Sequence, residues 1–463
     1  MKLGIKEKAA YGLGAVGKDM VYMLSASYVL YYFQDVLGVS AVAMGVILLA
    51  ARIFDAFNDP IMGIIVAKTN TRFGKFRPWL LIGTLTNAVI LFLMFSAPPA
   101  LDGPGLTAYA AVTYILWGVT YTMMDIPYWS MIPAFTKGGP EREGLTTLAR
   151  SCAGAGSAIV TIITMFAVHK LGGSNERIGF RYFALIVAIL FIVFIVITCV
   201  SIKEQSTVNM KSPSIGEMFK ALLTNDQAMV IVIAIVLINC SIYITSNLVI
   251  YFFKYDFGGT SWFNSYTLFN MFGGAIQIFS MALFYPLLRK AFTNKAIFNI
   301  TLGSAMIGYA VLFGIAFTNM SSVYLLFIPG FFIFAANGVL QVLTTVFLAN
   351  TVDYGELKNG RRDESVIFSM QTFVVKLASG IAAFIASLCL SINSLSNQAT
   401  TEEEHAIDFA KDVAASAKLG LRMTMTIIPI LGLFAAIIIF RKKFILTDEK
   451  VAEIAENLKK KNA

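Results

Sequence analysis

The stretch LLAARIFDAFNDPIMGIIVA at residues 48–67 places two aspartates, Asp55 and Asp59, inside an otherwise apolar run. They are one helical turn apart, so both side chains lie on one helix face. A charge at mid-membrane costs about 2.5–3.5 kcal/mol on insertion scales, so such residues face a cavity or a partner and usually mark an ion or substrate path. Four more ionisable residues lie in similarly apolar surroundings: Asp19, Asp125, Arg150 and Lys376. This pattern predicts a membrane carrier.

The composition fits a membrane protein and excludes several other classes. Of the 463 residues, 57% are hydrophobic and only 14% are charged, which is unlike a soluble globular protein. The four cysteines each lie alone in an apolar run, so a zinc site, haem attachment or a disulfide framework is not expected. The net charge of +9 is distributed between the apolar runs and forms no single patch, so nucleic acid is not an expected partner.

The distribution of apolar runs predicts an all-α membrane protein with twelve transmembrane helices. The expected spans are 10–34, 41–66, 79–97, 107–133, 148–169, 179–202, 227–253, 262–288, 296–317, 321–352, 364–391 and 420–440. Lysine and arginine are concentrated before the first span and after each even-numbered span, whereas the other connections contain few of them. By the positive-inside rule, both termini are predicted to be cytoplasmic.

The longest polar connection, 203–226, divides the spans into six plus six. The predicted organisation is an N-terminal bundle over 1–202, a cytoplasmic loop over 203–226, a C-terminal bundle over 227–446 and a cytoplasmic tail over 447–463. Two such bundles around a central cavity are typical of alternating-access carriers. The outer segment 392–419 is expected to form a short exposed amphipathic helix. The tail is expected to be helical and to contact anionic lipid headgroups.

The aspartates of span two are candidate ligands for a small cation. Asp55 and Asp59, with the amide oxygen of Asn58, offer the oxygen ligands that Na⁺ accepts, or a pair that takes up a proton. Two like charges in a low dielectric repel each other, and one bound monovalent cation relieves that repulsion. The alternative is that Arg52 neutralises one aspartate in a structural ion pair.

Span four contains a pattern that suits sugar binding. Tyr121, Asp125 and Trp129 recur every four residues and so share a face. A carboxylate accepts strong hydrogen bonds from hydroxyl groups, while the C–H face of a sugar ring stacks on an indole. Thr122 adds a hydroxyl for a cation site. The alternative for Trp129 is an aromatic anchor at the membrane interface.

The remaining candidates concern pairing of buried charges. Lys18 is expected to pair with Asp19, or Asp19 with Arg150, and Lys376 requires a carboxylate on span two or four. His169 and His405 are expected to be ordinary surface residues. Gly12-Leu-Gly-Ala-Val-Gly17 matches a nucleotide-binding pattern, but with no preceding strand it is interpreted as close helix packing.

Six blocks of sequence resemble the glycoside–pentoside–hexuronide:cation symporters, and within them most closely the bacterial melibiose:cation symporters. The blocks are GKDM at 17–20, LLAARIFDAFNDPIMG at 48–63, TRFGKFRPWLLIGTL at 71–85, YILWGVTYTMMDIPYWS at 114–130, VDYGE at 352–356 and QTFVVK at 371–376. They are long and specific, and the similarity extends over nearly the whole chain.

The resemblance implies the major facilitator fold and cotransport of a sugar with Na⁺, Li⁺ or H⁺. The implied cation-binding residues are Asp55, Asn58, Asp59, Thr122 and Asp125, with Na⁺ at Asp55, Asp59 and Asp125. The implied sugar-binding residues are Lys18, Asp19, Tyr121, Asp125, Trp129, Arg150, Gln371, Thr372 and Lys376. The sequence departs from the melibiose carriers at Gln341, where they have a tryptophan facing the sugar, and at Asn350, where they have an aspartate.

The expected function is therefore secondary active symport across a bacterial cytoplasmic membrane by alternating access, with an α-galactoside such as melibiose as the first candidate sugar. No cofactor other than the coupling ion is expected, no catalytic residue is assigned, and the carrier is expected to work as a monomer. One alternative is a proton-coupled carrier of a pentoside or hexuronide. A second, of another class, is a membrane-embedded aspartyl enzyme, but the sequence lacks the GxGD pattern such an enzyme needs.

Overall fold

The computed structural model of the protein contains only helices and their connections within the residues that it describes. These are residues 4–69, 71–132, 140–173, 175–202, 216, 220, 223–318, 322–359, 364–395 and 408–462. The predicted middle loop at 203–226 and outer segment at 392–419 therefore lie largely outside the described residues, as does His405.

The helices form two compact units, one built from α1 to α6 and the other from α7 onward. The first unit contains α1 (Ile5–Tyr31), α2 (Ala41–Lys68), α3 (Arg77–Met94), α4 (Gly103–Ser130), α5 (Pro140–Gly172) and α6 (Glu176–Ser201). The second contains α7 (Asp226–Phe252), α8 (Trp262–Phe279), α9 (Asn294–Ile315), α10 (Val323–Asn359), α11 (Glu364–Ile392), α12 (Ala415–Lys443) and α13 (Asp448–Asn462). A π-helical turn extends α1, another extends α7, and a third joins α8 to a last helical turn at Tyr285–Arg289.

Helix boundaries follow local sequence signals. Asn175, Asn225 and Thr293 each accept a hydrogen bond from a backbone N–H in the first turn of the helix that follows, at 3.2, 3.0 and 3.3 Å respectively. A proline in the first turn opens α3 and α4, where its missing N–H costs nothing.

Ten helices in the described part of the chain are long and apolar enough to cross a membrane. The prediction of an all-α membrane protein is confirmed to that extent. The other two long helices, α1 and α4, are not among the ten. Both are rich in polar, aromatic and glycine residues, and these lower the hydropathy of helices that carry the candidate site.

The first unit is held together by close approach of α1 to α5 and α6. Added methyl groups at Gly12, Gly14 and Gly17 would meet Cys152 of α5 and Thr198 and Phe194 of α6. The interpretation of this glycine pattern as a helix-packing motif is confirmed, because the three glycines lie against neighbouring helices. Gly156 of α5 lies directly against the backbone carbonyl of Val16.

The second unit has an aromatic core and one buried ion pair. Phe298, Phe347 and Phe440 contact one another with ring centroids 4.1–5.5 Å apart. Arg422 of α12 donates two hydrogen bonds, of 2.6 and 2.7 Å, to the buried carboxylate of Asp256. This two-point contact fixes the start of α12 against the end of α7.

The tail is helical, as predicted, over Asp448–Asn462. Ile454 and Leu458 are buried in the core of the second unit. Arg289, which follows the π-helical turn of α8, forms a 2.6 Å ion pair with Asp448. The tail is thus a packed part of this unit, with its charged face turned outward.

Two expectations are wrong for the residues that the structure describes, one about His169 and one about the outer segment. His169 is buried, 8% exposed, and its Nε2 lies 3.1 Å from Oε1 of Glu176. The other carboxylate oxygen, Oε2, accepts a 2.8 Å hydrogen bond from the hydroxyl of Tyr31. The reason is that α5 and α6 fold tightly together beyond the predicted span end. In the described part of the outer segment, Phe409 and Ala410 are buried in a 3₁₀ turn and do not form an exposed helix.

We expect Gly156→Ala to lower the thermal unfolding midpoint of the purified protein in detergent, because the new methyl group would collide with the Val16 carbonyl. Overpacking of this kind costs about 1–3 kcal/mol. Gly154→Ala is the matched control, two residues away on α5, where an added methyl group meets nothing within 4 Å. Equal midpoints for the two variants would contradict this packing.

Candidate functional site

The candidate site in the first unit centres on Lys18, which α1 presents toward α4. Its side chain is buried, 3% exposed, with Nζ 2.8 Å from Oδ1 of Asp125 and 3.4 Å from Oδ2 of Asp19. Lys18 also donates a 3.2 Å hydrogen bond to the hydroxyl of Tyr121. A buried cation held by two carboxylates is electrically compensated and keeps a fixed position.

Trp129 and Arg150 complete this group. The indole Nε1 of Trp129 donates a 3.1 Å hydrogen bond to Oδ1 of Asp125, and the guanidinium carbon of Arg150 lies 4.1 Å from the indole ring centroid. Asp125 keeps 25% of its side chain exposed, and Arg150 is exposed. The group therefore offers carboxylate, ammonium, guanidinium and indole groups to an incoming molecule.

The pairing of these charges agrees only in part with the sequence expectation. Lys18 does contact Asp19, as expected, but its shorter ion pair is with Asp125 on another helix. Arg150 stacks on Trp129. The spacing of residues in the sequence identifies neighbours within one helix only. The Lys18–Asp125 pair joins α1 to α4 and depends on how these helices pack, which the spacing does not show.

A pair of tyrosines fixes α1 against α4 beside this site. Tyr11 donates a 2.6 Å hydrogen bond to the backbone carbonyl of Tyr128, and Tyr128 donates a 2.5 Å hydrogen bond to the carbonyl of Tyr11. Their rings stack with centroids 4.5 Å apart. Both side chains are completely buried. These contacts set the register in which Lys18 reaches Asp125.

The candidate cation residues lie where α2 packs on α4. Thr122 donates a 2.9 Å hydrogen bond to Oδ1 of Asp59. The side chain of Asn58 is half-buried, and among the described residues none forms a hydrogen bond with its buried amide nitrogen. The structure thus brings oxygen atoms of α2 and α4 together at Asp59 and Thr122.

Asp55 is held differently. Its Oδ2 lies 3.3 Å from Nη1 of Arg52, and both side chains are buried, with 5% of Arg52 and 6% of Asp55 exposed. A methyl group added at Gly118 of α4 would lie 2.6 Å from the Asp55 carboxylate, so only glycine allows this approach. At Asp55 the structure shows the ion pair with Arg52 that the sequence analysis gave as the alternative to a cation site.

The three predicted sodium-binding carboxylates therefore have different contacts. Asp55 pairs with Arg52, Asp59 accepts from Thr122, and Asp125 pairs with Lys18. Across the described ranges of the chain, no three histidine, cysteine, aspartate or glutamate side chains form a group that could hold a metal ion. The oxygen ligands available at this point are the carboxylate of Asp59 and the hydroxyl of Thr122.

The other predicted sugar residues belong to the second unit, on α11. Gln371 and Lys376 are half-buried and Thr372 is exposed. Thr372 and Lys376 are one turn apart and share a helix face. On α10 the side chain of Gln341, which stands in place of the tryptophan of the melibiose carriers, is exposed and donates a 3.4 Å hydrogen bond to Asn337.

Sequence reasoning missed an aromatic group that surrounds Arg52. The guanidinium carbon lies 5.9 Å from the ring centroid of Tyr22 and 6.0 Å from that of Tyr114. Tyr114, Trp117 and Tyr121 follow one another along α4 with stacked rings, and Tyr22 contacts the last two. The spacing of three and four residues in this run was an available signal.

Known proteins similar to this chain are sugar carriers and symporters. Residues 10–447 match the family described as MFS/sugar transport protein. The chain is 30% identical to a raffinose carrier protein of Pediococcus pentosaceus, over 97% of this chain and 71% of that protein. It is 28% identical to an isoprimeverose transporter of Lactiplantibacillus pentosus, over 99% and 92%, and 26% identical to an inner membrane symporter of Escherichia coli, over 98% and 95%.

Among solved structures, the fold is similar to that of the nucleoside transporter NupG. The TM-score is 0.66 at 11% sequence identity, over 94% of this chain and 99% of that one. At this identity the similarity concerns the fold alone.

We expect Lys18→Met to destabilise the protein by up to about 3–5 kcal/mol, because it leaves two partly buried carboxylates without the buried cation that pairs with them. Thermal unfolding in detergent measures the loss. The control is Lys450→Met, which removes an ion pair of the same 2.8 Å length that is exposed at both partners, where the expected effect is about 0–1 kcal/mol. Similar losses in the two variants would show that Lys18 is not the buried centre described above.

Proposed function

The chain belongs to the MFS/sugar transport protein family, and from that premise we propose that it is a symporter that couples sugar uptake to cation entry by alternating access. Members of this family are transporters, so the chain is a multi-pass membrane transporter of a bacterial type and not an enzyme. The first candidate sugar is an α-galactoside such as melibiose, and the first candidate ion is Na⁺, with Li⁺ and H⁺ as further candidates.

The observation that carries this proposal is the ion pair between Lys18 and Asp125 beside Trp129. Asp125 and Asp19 can accept hydrogen bonds from sugar hydroxyls, while Lys18 and Arg150 can donate to them. The face of the Trp129 ring suits the C–H face of a sugar. These groups, with Tyr121, form the proposed sugar site of the first unit.

From the resemblance, Gln371, Thr372 and Lys376 of the second unit are proposed to bind the same sugar. Their side chains supply an amide, a hydroxyl and an ammonium group, which are all able to bond to hydroxyls.

The proposed cation site lies at Asp59 and Thr122, whose oxygens are already in contact. Asp55, Asn58 and Asp125 are the further ligands proposed from the resemblance. A Na⁺ ion at Asp55 would replace the guanidinium of Arg52, so that the resident ion pair and the transported ion compete for one carboxylate. Coupling to a proton would need only that one of these carboxylates be protonated.

Coupling would arise because Asp125 lies next to both groups of residues. Thr122 and Asp125 are neighbouring positions on one turn of α4, and Trp129 is the next turn. If cation binding orients Asp125, sugar affinity rises, and linkage requires that sugar raises cation affinity by the same factor. One positive charge crossing 100 mV provides about 2.3 kcal/mol, or roughly 50-fold sugar accumulation.

The proposed topology has twelve spans with both termini in the cytoplasm. The bundles at 1–202 and 227–446 would be joined by the loop at 203–226, and the tail from residue 447 would touch anionic headgroups through its lysines. A chain of this architecture needs no second copy to form the sugar site, so a monomer is the proposed working form.

A second candidate is a carrier for a pentoside or hexuronide driven by protons. The observation in its favour is Gln341, since an amide replaces the stacking surface that the melibiose carriers place there. The relative named as an isoprimeverose transporter is consistent with substrates beyond α-galactosides.

We expect Asp59→Cys to abolish stimulation of sugar uptake by Na⁺ in proteoliposomes while sugar counterflow continues. The substitution removes the carboxylate that Thr122 contacts but leaves the Lys18 group intact. Asp102→Cys is the control, because Asp102 is exposed at the start of α4. Unchanged Na⁺ stimulation in Asp59→Cys would overturn the cation assignment.

A binding screen distinguishes the candidate sugars. We expect melibiose and raffinose to bind the purified protein more tightly with Na⁺ than without it, and xylosides and β-glucuronides to bind weakly. Tight binding of a xyloside or glucuronide that responds to pH and not to Na⁺ would favour the second candidate and contradict the first.

A further inference from the structure

We propose that Tyr22 is a positioning residue that couples the sugar site to the Arg52–Asp55 ion pair. This inference rests on the symport function proposed above, and it concerns a residue that belongs to neither proposed ligand set. The Tyr22 ring contacts Tyr121 of the proposed sugar site and Arg52, the ion-pair partner of Asp55.

On one side, Tyr22 contacts the sugar site. It lies one turn beyond Lys18 on α1, so both side chains point to the same side of the helix. Its ring centroid is 5.5 Å from that of Tyr121, with the planes inclined at 40°. The Tyr121 hydroxyl in turn accepts the hydrogen bond from Lys18. A sugar that engages Lys18 or Tyr121 therefore acts on a neighbour of Tyr22.

On its other side, Tyr22 contacts the charge that neutralises Asp55. The Arg52 guanidinium carbon lies 5.9 Å from the Tyr22 centroid and 6.0 Å from the Tyr114 centroid. A guanidinium within about 6 Å of an aromatic centroid is attracted to the ring. Two rings thus form an aromatic cradle, Tyr22 and Tyr114, which holds Arg52 independently of its ion pair.

The two rings of the cradle differ in burial and in stacking. Tyr114 is buried and stacked on Trp117, with centroids 5.7 Å apart and planes inclined at 16°. Tyr22 is half-buried. The plane of its ring is inclined at 33° to that of Trp117 and at 40° to that of Tyr121, so it stacks on neither. Tyr22 is therefore the member that can change orientation without breaking the stack along α4.

These contacts imply a specific coupling step. When a cation takes Asp55, the guanidinium of Arg52 loses its ion pair, and the aromatic cradle that already contacts it is the contact that remains. A sugar bound at Lys18 and Tyr121 fixes the orientation of Tyr22 and so strengthens the contact of the cradle with an Arg52 that has lost Asp55. Each ligand then lowers the cost of binding the other, which is the reciprocity that linkage requires.

The test measures the KM for sugar uptake in proteoliposomes at low and at saturating Na⁺, is repeated with Li⁺ and with H⁺, and takes the ratio of the two KM values for each ion as the coupling factor. The sugar is whichever of melibiose, raffinose, lactose or isoprimeverose the wild type binds most tightly. The variants are Tyr22→Leu and Tyr22→Met, which remove the ring, and Tyr22→Phe, which keeps it. Met23→Leu is the control, since residue 23 is half-buried beside Tyr22 but points about 100° away around the helix.

We expect the coupling factor to fall at least about threefold in Tyr22→Leu and Tyr22→Met, from a wild-type value in the usual range of about 5 to 150. The maximal rate at saturating sugar and Na⁺ should change less than twofold, a split that simple misfolding would not produce. Tyr22→Phe and Met23→Leu should stay within twofold of wild type. The comparison uses Tyr22→Leu or Tyr22→Met, whichever keeps the thermal unfolding midpoint of the wild type.

The outcomes separate the two proposals. A wild-type coupling factor of one with every candidate ion would overturn the symport function and this inference with it. Coupling in the wild type that persists undiminished in the ring-deleted variants would overturn the role of Tyr22 alone. Loss of coupling in Tyr22→Phe as well would overturn the assignment to the ring contacts.

Discussion

Neutralisation of buried charge is the constraint on which the rest of this structure depends. A lone ion in a low-dielectric interior is so unfavourable that it must be paired, and removing one partner of such a pair is costly. In the first unit Lys18 compensates Asp125 and Asp19, and Arg52 compensates Asp55. The packing of α1 on α4, α5 and α6 through small residues and paired tyrosines keeps these partners at ion-pair distance.

The same constraint explains how a protein without covalent chemistry can couple two solutes. Resident cations on the protein occupy carboxylates that a transported cation or a sugar hydroxyl could also use. In the proposed mechanism, binding is an exchange of partners, and its net cost is small because no carboxylate is left without a partner. The aromatic rings around Arg52 and Lys18 matter for this reason, since they stabilise a displaced side-chain cation without neutralising it.

Much of the fold and part of the candidate site could be predicted from the sequence. The features that could not be predicted depend on contacts between helices. Hydropathy gave the all-α class, and the family resemblance, now confirmed by the match over residues 10–447, gave the transporter class. Helical spacing found the shared face of Tyr121, Asp125 and Trp129. Spacing could not reveal the Lys18–Asp125 pair or the burial of His169, because both depend on contacts between helices. The sequence suggested the Arg52–Asp55 pair only as an alternative, because a spacing of three residues allows an ion pair but does not require one.

The most direct test of the account is reciprocal calorimetric titration of the wild-type protein in detergent. Sugar affinity is measured with and without Na⁺, and Na⁺ affinity with and without the sugar. We expect each ligand to bind clearly more tightly in the presence of the other, because both act on neighbouring carboxylates, and by linkage the two affinity ratios must be equal. Sugar affinity that is independent of Na⁺, Li⁺ and pH would contradict it.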